Sequence, residues 1–178
     1  MIVIQTPKKE DISGIQDVFY KTWLATYPNE EIGITKEDII ERFKNSFSEE
    51  GLKRRTNYFL NIPENELFLI AKEGPNVVGV CKFVKREKFN QLQAIYVLPK
   101  YQGKGIGFMF WEKAQEFIGD SKDIIVQVAA YNKQAISFYK KLGFIDTGKR
   151  FTDEKLKMPI SGVVMPEMEM IIKNVKDN

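Results

Sequence analysis

The sequence contains no histidine, which excludes every catalytic or metal-binding site that depends on an imidazole. We expect no metal, and any chemistry has to use carboxylates, phenols, amines or water. One cysteine, Cys81, excludes a disulfide within the chain and favours a location inside the cell. No apolar run has the length of a membrane span or of a signal peptide, so we expect a cytoplasmic protein with no membrane partner.

A strong charge of one sign is also lacking. The 27 basic and 24 acidic residues are interspersed and the net charge is +3, so we expect no nucleic-acid partner. Of the 178 residues, 43% are hydrophobic, which suits one folded core and leaves no room for a second. We therefore expect a single domain spanning residues 1–178.

The most informative feature is a glycine-rich loop between an apolar strand and an amphipathic helix, within residues 92–117. The loop reads Gln102-Gly103-Lys104-Gly105-Ile106-Gly107. The first N–H groups of a helix lack intrahelical partners and lie at the positive end of its dipole, so they attract phosphate oxygens. The glycines remove side chains that would keep a ligand from the backbone. The spacing is neither that of a P-loop nor that of a dinucleotide fingerprint, and a plain turn is the alternative.

A second motif, N-K-Q-A-I-S-F-Y-K-K-L-G-F at residues 132–144, is a short helix that a glycine ends before a new strand. Together the two segments resemble the GCN5-related N-acetyltransferase (GNAT) superfamily. Its signature Gln/Arg-x-x-Gly-x-Gly/Ala corresponds to Gln102, Gly105 and Gly107. Its second motif corresponds to Asn132, Ala135, Phe138, Tyr139, Leu142, Gly143 and Phe144.

Hydrophobic periodicity predicts most helices early in the chain. After a first helix that begins near residue 12, a capping box at residues 35–38 begins a second helix, which Gly51 ends. Its expected inner face contains Ile39, Ile40, Phe43 and Phe47. A third helix at residues 52–60 points Arg54 and Arg55 outward.

Strands follow, interrupted by helices at residues 106–117 and 135–141. They are predicted at residues 2–5, 66–72, 76–84, 91–97, 124–128, 144–151 and 164–172. The polar residues 152–161 predict a loop, and Pro166 fits an edge strand or a bulge. The resemblance implies the GNAT fold of the α/β (α+β) class: a central mixed, mostly antiparallel sheet, splayed at the junction of strands 4 and 5, with helices on both faces.

The resemblance also implies acetyl-CoA as the cosubstrate, wedged between residues 94–98, which carry a β-bulge, and residues 124–128. Main-chain groups of Ile95 and Val97 then lack ladder partners and can bind the pantetheine amides. An N–H at Val97 or Leu98 polarises the thioester carbonyl, and the pyrophosphate lies on the amides of the glycine loop. The cofactor-binding residues so implied are Ile95, Tyr96, Val97, Gln102, Gly103, Lys104, Gly105, Ile106, Gly107, Phe108, Asn132 and Tyr139.

The reaction that the resemblance implies is direct transfer, in which a neutral amine attacks the thioester and coenzyme A leaves as a thiolate. Tyr139 occupies the family position of the general acid that protonates this thiolate, and a core tyrosine is the alternative. Asn132 either contacts the cofactor or caps a helix. Cys81 is not expected to be a nucleophile, because nothing nearby in the sequence lowers its pKa.

The general base is missing from the place where many family members have a glutamate, because this strand reads Gln91-Leu92-Gln93-Ala94. Amide side chains do not take up a proton at neutral pH, so the base is either water or a carboxylate elsewhere. The candidates are Glu30, Glu31, Glu66 and Glu87.

The acceptor side is predicted around the first helix and the acidic loop after it. Trp23 and Tyr27 lie one turn apart and form either an aromatic wall for a cation or a packing pair. With Glu30 and Glu31 they are the predicted substrate-binding residues. The layout resembles PaiA-type polyamine acetyltransferases, which implies a small amine such as spermidine. The alternatives are a non-catalytic coenzyme A sensor and a peptide or protein N-acetyltransferase, and the resemblance also makes a homodimer possible.

Overall fold

The computed structural model describes residues 1–119 and 121–174, and within them seven strands form one sheet. The strands are β1 (Ile2–Gln5), β2 (Glu66–Glu73), β3 (Asn76–Lys85), β4 (Asn90–Val97), β5 (Ile124–Ala129), β6 (Ile145–Lys157) and β7 (Val164–Ile172). Their order is β1-β2-β3-β4-β5-β7-β6, and every neighbouring pair is antiparallel except β4 and β5. The predicted mixed, mostly antiparallel sheet is confirmed.

Helices cover both faces of this sheet, as predicted. They are α1 (Ile12–Thr26), α2 (Lys36–Phe43), α3 (Glu49–Leu60), α4 (Ile106–Ile118) and α5 (Lys133–Lys141). Successive side chains of a strand point to opposite faces. In β3, Phe83 packs against Trp111 of α4, whereas Lys82 lies over the ring of Tyr58 in α3. No helix in the described residues is long and apolar enough to cross a bilayer.

The predicted capping box is confirmed and anchors α2. The hydroxyl of Thr35 accepts a hydrogen bond from the N–H of Asp38 at 3.1 Å, and the Asp38 carboxylate accepts one from the N–H of Thr35 at 2.9 Å. The same carboxylate accepts hydrogen bonds from the N–H groups of Ile160 and Ser161, at 3.0 and 2.8 Å. It therefore ties α2 to the turn between β6 and β7.

The second helix is shorter than predicted. α2 ends at Phe43, and Gly51 lies in the first turn of α3 instead of ending α2. A side chain at Gly51 would collide with the carbonyl oxygen of Asn45, so this glycine permits a close approach of the chain. The predicted inward positions of Ile40 and Phe47 are wrong, because these side chains are 49% and 43% exposed. Phe47 lies beyond the early end of α2, whereas Ile40 lies within the helix on its exposed side.

β6 is longer than predicted, because it continues through residues 152–157, where the polar sequence predicted a loop. Its pairing with β7 is irregular, with register shifts between Asp146 and Arg150 and between Thr152 and Lys157. As the edge strand of the sheet, β6 keeps most of its polar side chains in solvent. Pro166 lies in the inner strand β7, opposite Thr152 and next to the second shift, so the bulge alternative applies.

The sheet opens between its two parallel strands. Three register pairs join β4 to β5, from Asn90 with Ile124 to Leu92 with Val126, and the ladder ends there. On the other side of β4, two consecutive residues of β3, Phe83 and Lys82, pair with Leu92 and Ala94. Gln93 is therefore an extra residue in β4. This β-bulge turns β4 away from β5 immediately before the predicted splayed segment.

Candidate active site

A cleft with a volume of about 1150 Å³ lies where β4 and β5 part. Most of the predicted site residues line it. These are Trp23, Tyr27, Ile95, Tyr96, Val97, Gln102, Gly103, Gly105, Ile106, Gly107, Phe108, Asn132 and Tyr139. Lys104 lies outside, with its ammonium 4.6 Å from the centre of the Tyr101 ring. The exposed Glu30 and Glu31 do not line the cleft, and neither do Glu66 and Glu87.

The main chain of β4 presents polar groups to this gap. The N–H of Leu98 donates to the carbonyl of Val78 in β3 at 2.9 Å, so the Leu98 amide is not free to polarise a thioester. Hydrogen-bonded and non-hydrogen-bonded pairs alternate in an antiparallel ladder, so the main-chain groups of Ile95 and Val97 point away from β3 and toward the gap. A ligand with amide groups, such as the pantetheine arm, fits these positions.

The glycine loop makes a cradle at the start of α4. Gly103 and Gly105 have φ angles of 75° and 81°, which side chains rarely tolerate, and no atom lies within 4 Å of where their Cβ atoms would stand. Gly107 is glycine for another reason, since a Cβ there would lie 2.7 Å from the Phe138 ring of α5. Helix packing is therefore a reason for this glycine besides its predicted role in ligand binding, and the first two glycines fit a pyrophosphate.

Gly105→Val is expected to weaken the binding of coenzyme A about tenfold. A β-branched residue with a positive φ strains the loop by ~1–2 kcal/mol, and its side chain extends into the open space of the cradle. Isothermal titration with coenzyme A measures the Kd. Gly74→Val is the matched control, because Gly74 also has a positive φ, 57°, but lies in the turn between β2 and β3. Equal Kd values in the two variants would contradict the cradle.

Side-chain hydrogen bonds hold the loop in place. The amide nitrogen of Gln102 donates to the carbonyl of Val97 at 3.0 Å, and its amide oxygen accepts from Gln134 of α5 at 2.9 Å. The side-chain oxygen of Asn132 accepts a hydrogen bond from the N–H of Ala135 at 3.1 Å. Asn132 therefore caps α5, and its position in the cleft leaves the cofactor role open as well.

Tyr139 lies on the cleft side of α5 and is 7% exposed. Its hydroxyl has no hydrogen-bond partner among the described residues, and burial raises its pKa, so it carries its proton at neutral pH. Burial also raises the pKa of the nearby Cys81 thiol well above the usual range. This thiol stays protonated, which agrees with the expectation that Cys81 is not a nucleophile.

Trp23 and Tyr27 form the predicted aromatic pair, with ring centres 4.6 Å apart. The pair also packs: the Tyr27 hydroxyl lies 3.1 Å from that of Tyr96, and the guanidinium of Arg42 lies 5.0 Å from the Trp23 ring. A cation of the protein itself therefore already stacks on Trp23. The packing alternative is therefore realised, and the aromatic wall for a substrate cation stays a prediction.

Two carboxylates in the cleft were missed by sequence reasoning. Within the described residues, Asp153 of β6 and Glu167 of β7 are the acidic side chains that line it. Glu167 is half-buried and takes no hydrogen bond or ion pair from these residues, and burial, followed by the charge of Asp153, raises its pKa. Its charge also adds to burial in raising the pKa of Tyr96. The alternation of polar and apolar residues after Pro166 could have indicated that Glu167 and Glu169 share one face of a strand. It does not show whether that face meets solvent or the cleft.

The predicted outward direction of Arg55 is wrong. α3 packs beside α1, and this contact turns the helix face with Arg55 and Tyr58 toward the cleft, while Arg54 stays exposed. Near them, the Glu66 carboxylate binds the ammonium of Lys82 at 2.8 Å and the hydroxyl of Tyr58 at 2.6 Å. Glu66 is therefore an ionised partner of these groups, with a lowered pKa, and not a free base.

Comparisons with known proteins agree on one family. Residues 35–144 match the acetyltransferase (GNAT) family. The chain is 28% identical over 106 residues to the peptidyl-lysine N-acetyltransferase YjaB of Salmonella typhimurium, covering 59% of this chain and 68% of that protein. The PaiA N-acetyltransferase from Thermoplasma acidophilum, crystallised with coenzyme A, superposes with a TM-score of 0.72 at 22% identity, over 97% of this chain and 99% of that one. YncA from Salmonella typhimurium, solved with acetyl-CoA, gives 0.65 at 18% identity, over 100% and 96%.

Proposed function

Since the chain belongs to the acetyltransferase (GNAT) family, we propose that it moves an acetyl group directly from acetyl-CoA to the primary amine of a small acceptor. Acetyl-CoA-dependent N-acetyltransfer is the activity of this family. The observation that carries the proposal is the cleft between β4 and β5, which has the glycine cradle at one end. It contains a protonated phenol, Tyr139, and a carboxylate, Glu167, that no residue in the described part of the chain pairs.

The chain's own residues supply binding and proton transfer. The main-chain groups of Ile95 hold the pantetheine arm, and the loop amides at the start of α4 hold the pyrophosphate. The bound cosubstrate provides an acetyl group activated as a thioester. The N–H of Val97 points to the gap and is the remaining candidate for polarising the thioester carbonyl.

Protons balance over the transfer. Glu167 takes one proton from the bound ammonium, and the resulting neutral nitrogen bonds to the acetyl carbon while the carbon–sulfur bond breaks. Tyr139 gives its proton to the leaving sulfur, and the second proton lost by the nitrogen restores the phenol. The proton on Glu167 passes to solvent. A raised pKa suits Glu167 as a base. Burial disfavours both a bare thiolate and a bare phenolate, as the raised pKa values of Cys81 and Tyr139 show, so Tyr139 gives up its proton only as negative charge develops on the sulfur and recovers one from the nitrogen.

Two observations bear on the predicted polyamine acceptor in opposite directions. The carboxylates of Asp153 and Glu167, which line the same cleft as the aromatic pair, favour a cationic amine. The guanidinium of Arg55, also in the cleft, disfavours a second cation. The polyamine stays a proposal on the first observation, and the cytoplasmic location, the single domain and the possible homodimer stay predictions from the sequence.

Acceptor assays are expected to show turnover with small primary amines. Thiol release from acetyl-CoA is followed with spermidine, spermine, free amino acids and peptides with lysine or free N-termini, because the cleft volume admits a small chain more readily than a folded surface. If neither spermidine nor spermine is acetylated, the assignment of a polyamine as acceptor is wrong. Tight coenzyme A binding without thiol release from any amine would instead favour the non-catalytic sensor.

A further inference from the structure

Arg55 of α3 is a charged group in the cleft that the proposed chemistry does not use. Its guanidinium is partly buried and lies 5.2 Å from the centre of the Phe19 ring of α1. Within the described residues, no carboxylate and no hydrogen-bond acceptor pairs with it. Burial lowers its pKa, and the neighbouring Tyr58 opposes this shift only in part. A partly buried cation without a partner is costly, and an anionic ligand would offset that cost.

The neighbouring carboxylate is not available to Arg55. Glu66 is occupied by Lys82 at 2.8 Å and by the hydroxyl of Tyr58 at 2.6 Å. Lys82 in turn lies over the ring of Tyr58, 4.8 Å from its centre. On this side of the cleft, formed by α3 and β3, the positive charge that is available to a ligand is therefore that of Arg55.

The position of Arg55 separates it from the cofactor cradle. α1 and α3 cover the face of the sheet opposite α4, and the cradle lies at the start of α4. Across the gap from Arg55, β7 and β6 contribute Glu167 and Asp153. The wall with Arg55 thus offers a cation to a ligand, and the opposite, acidic wall offers two carboxylates. The guanidinium of Arg42 near that acidic wall is already stacked on Trp23 and donates to main-chain carbonyls of β6.

We infer that the acceptor carries a carboxylate as well as its amine, and that Arg55 binds this carboxylate. The planar guanidinium matches a carboxylate through two parallel hydrogen bonds, while the acidic wall receives the ammonium. A linear polyamine would instead bring a second cation to Arg55. The acceptor class is therefore that of amino acids, and this inference rests on the proposed N-acetyltransferase function.

The test compares acceptors that differ only in the carboxylate. Amino acids and ω-amino acids, such as lysine and 5-aminopentanoate, are assayed beside their decarboxylated amines, 1,5-diaminopentane and butylamine. We expect the wild-type protein to prefer a carboxylated member at least tenfold in kcat/KM. Arg55→Gln should raise the KM for that member about 10- to 100-fold with little change in kcat, and should leave the decarboxylated amine unaffected.

Controls separate this role from a structural one. Arg54→Gln changes the exposed neighbour on the same helix and should have no effect, and Arg55→Lys should restore part of the affinity. The Kd for coenzyme A should be unchanged in Arg55→Gln. Turnover without a carboxylate preference, or an equal loss for both members of a pair, would overturn the inference alone. No thiol release with any amine would overturn the proposed function and the inference together.

Discussion

Glu167→Gln is expected to lower kcat by roughly 10²- to 10⁴-fold, the usual contribution of a general base. The substitution keeps the size and polarity of the side chain but removes its ability to take a proton from the ammonium. Because Glu167 lies in β7, away from the glycine cradle, the Kd for coenzyme A should not change. Steady-state kinetics by thiol release and a titration with coenzyme A measure the two quantities.

The pH profile identifies the carboxylate. Burial and then Asp153 raise the pKa of Glu167, so kcat/KM should increase with pH through a value above the ordinary glutamate range, as the carboxyl loses its proton. In the Glu167→Gln variant this increase of kcat/KM with pH should be absent, and in the Asp153→Asn variant it should occur at lower pH. Glu169→Gln is the control, because Glu169 lies in the same strand but is paired with Lys149 at 3.0 Å. An unchanged kcat in Glu167→Gln would assign the base to water.

Tyr139→Phe is expected to lower kcat by roughly 10²-fold, the smaller end of the range for a general acid. Phenylalanine keeps the ring that packs 5.7 Å from the ring of Phe144, so the stability of the fold should be preserved. The hydroxyl has no partner among the described residues, and its removal therefore breaks no hydrogen bond of the fold. The measurements are kcat, the Kd for coenzyme A and the Tm.

A second phenol at the cleft provides the comparison. The hydroxyl of Tyr101 donates to the Glu73 carboxylate at 2.7 Å, so Tyr101→Phe removes a structural hydrogen bond and should lower the Tm while kcat stays near that of the wild type. Tyr139→Phe should show the reverse. If it retains full kcat, Tyr139 is a core tyrosine and the thiolate takes its proton from solvent.

Local patterns determined much of this protein. The capping box at Thr35 and Asp38, the hairpin between β2 and β3, and the strand, glycine loop and helix around Gly105 all form from residues that are close in the sequence. Their physics is also local: a side chain satisfies a free N–H group, or a glycine adopts a positive φ. The elements and the glycine loop before α4 could therefore be predicted from local patterns, and the fold class from the family resemblance that two of these patterns carry.

Only the tertiary structure decided which charged side chains meet across the cleft. Strand order places Glu167 next to β5, and the contact of α3 with α1 turns Arg55 inward, although the surrounding patterns of both residues are equally typical of a solvated surface. The same holds for Gly51 and Gly107, which permit contacts with Asn45 and with the Phe138 ring. Contacts between distant segments depend on packing of the whole sheet, because the period of one strand or helix defines two faces but not what each face will meet.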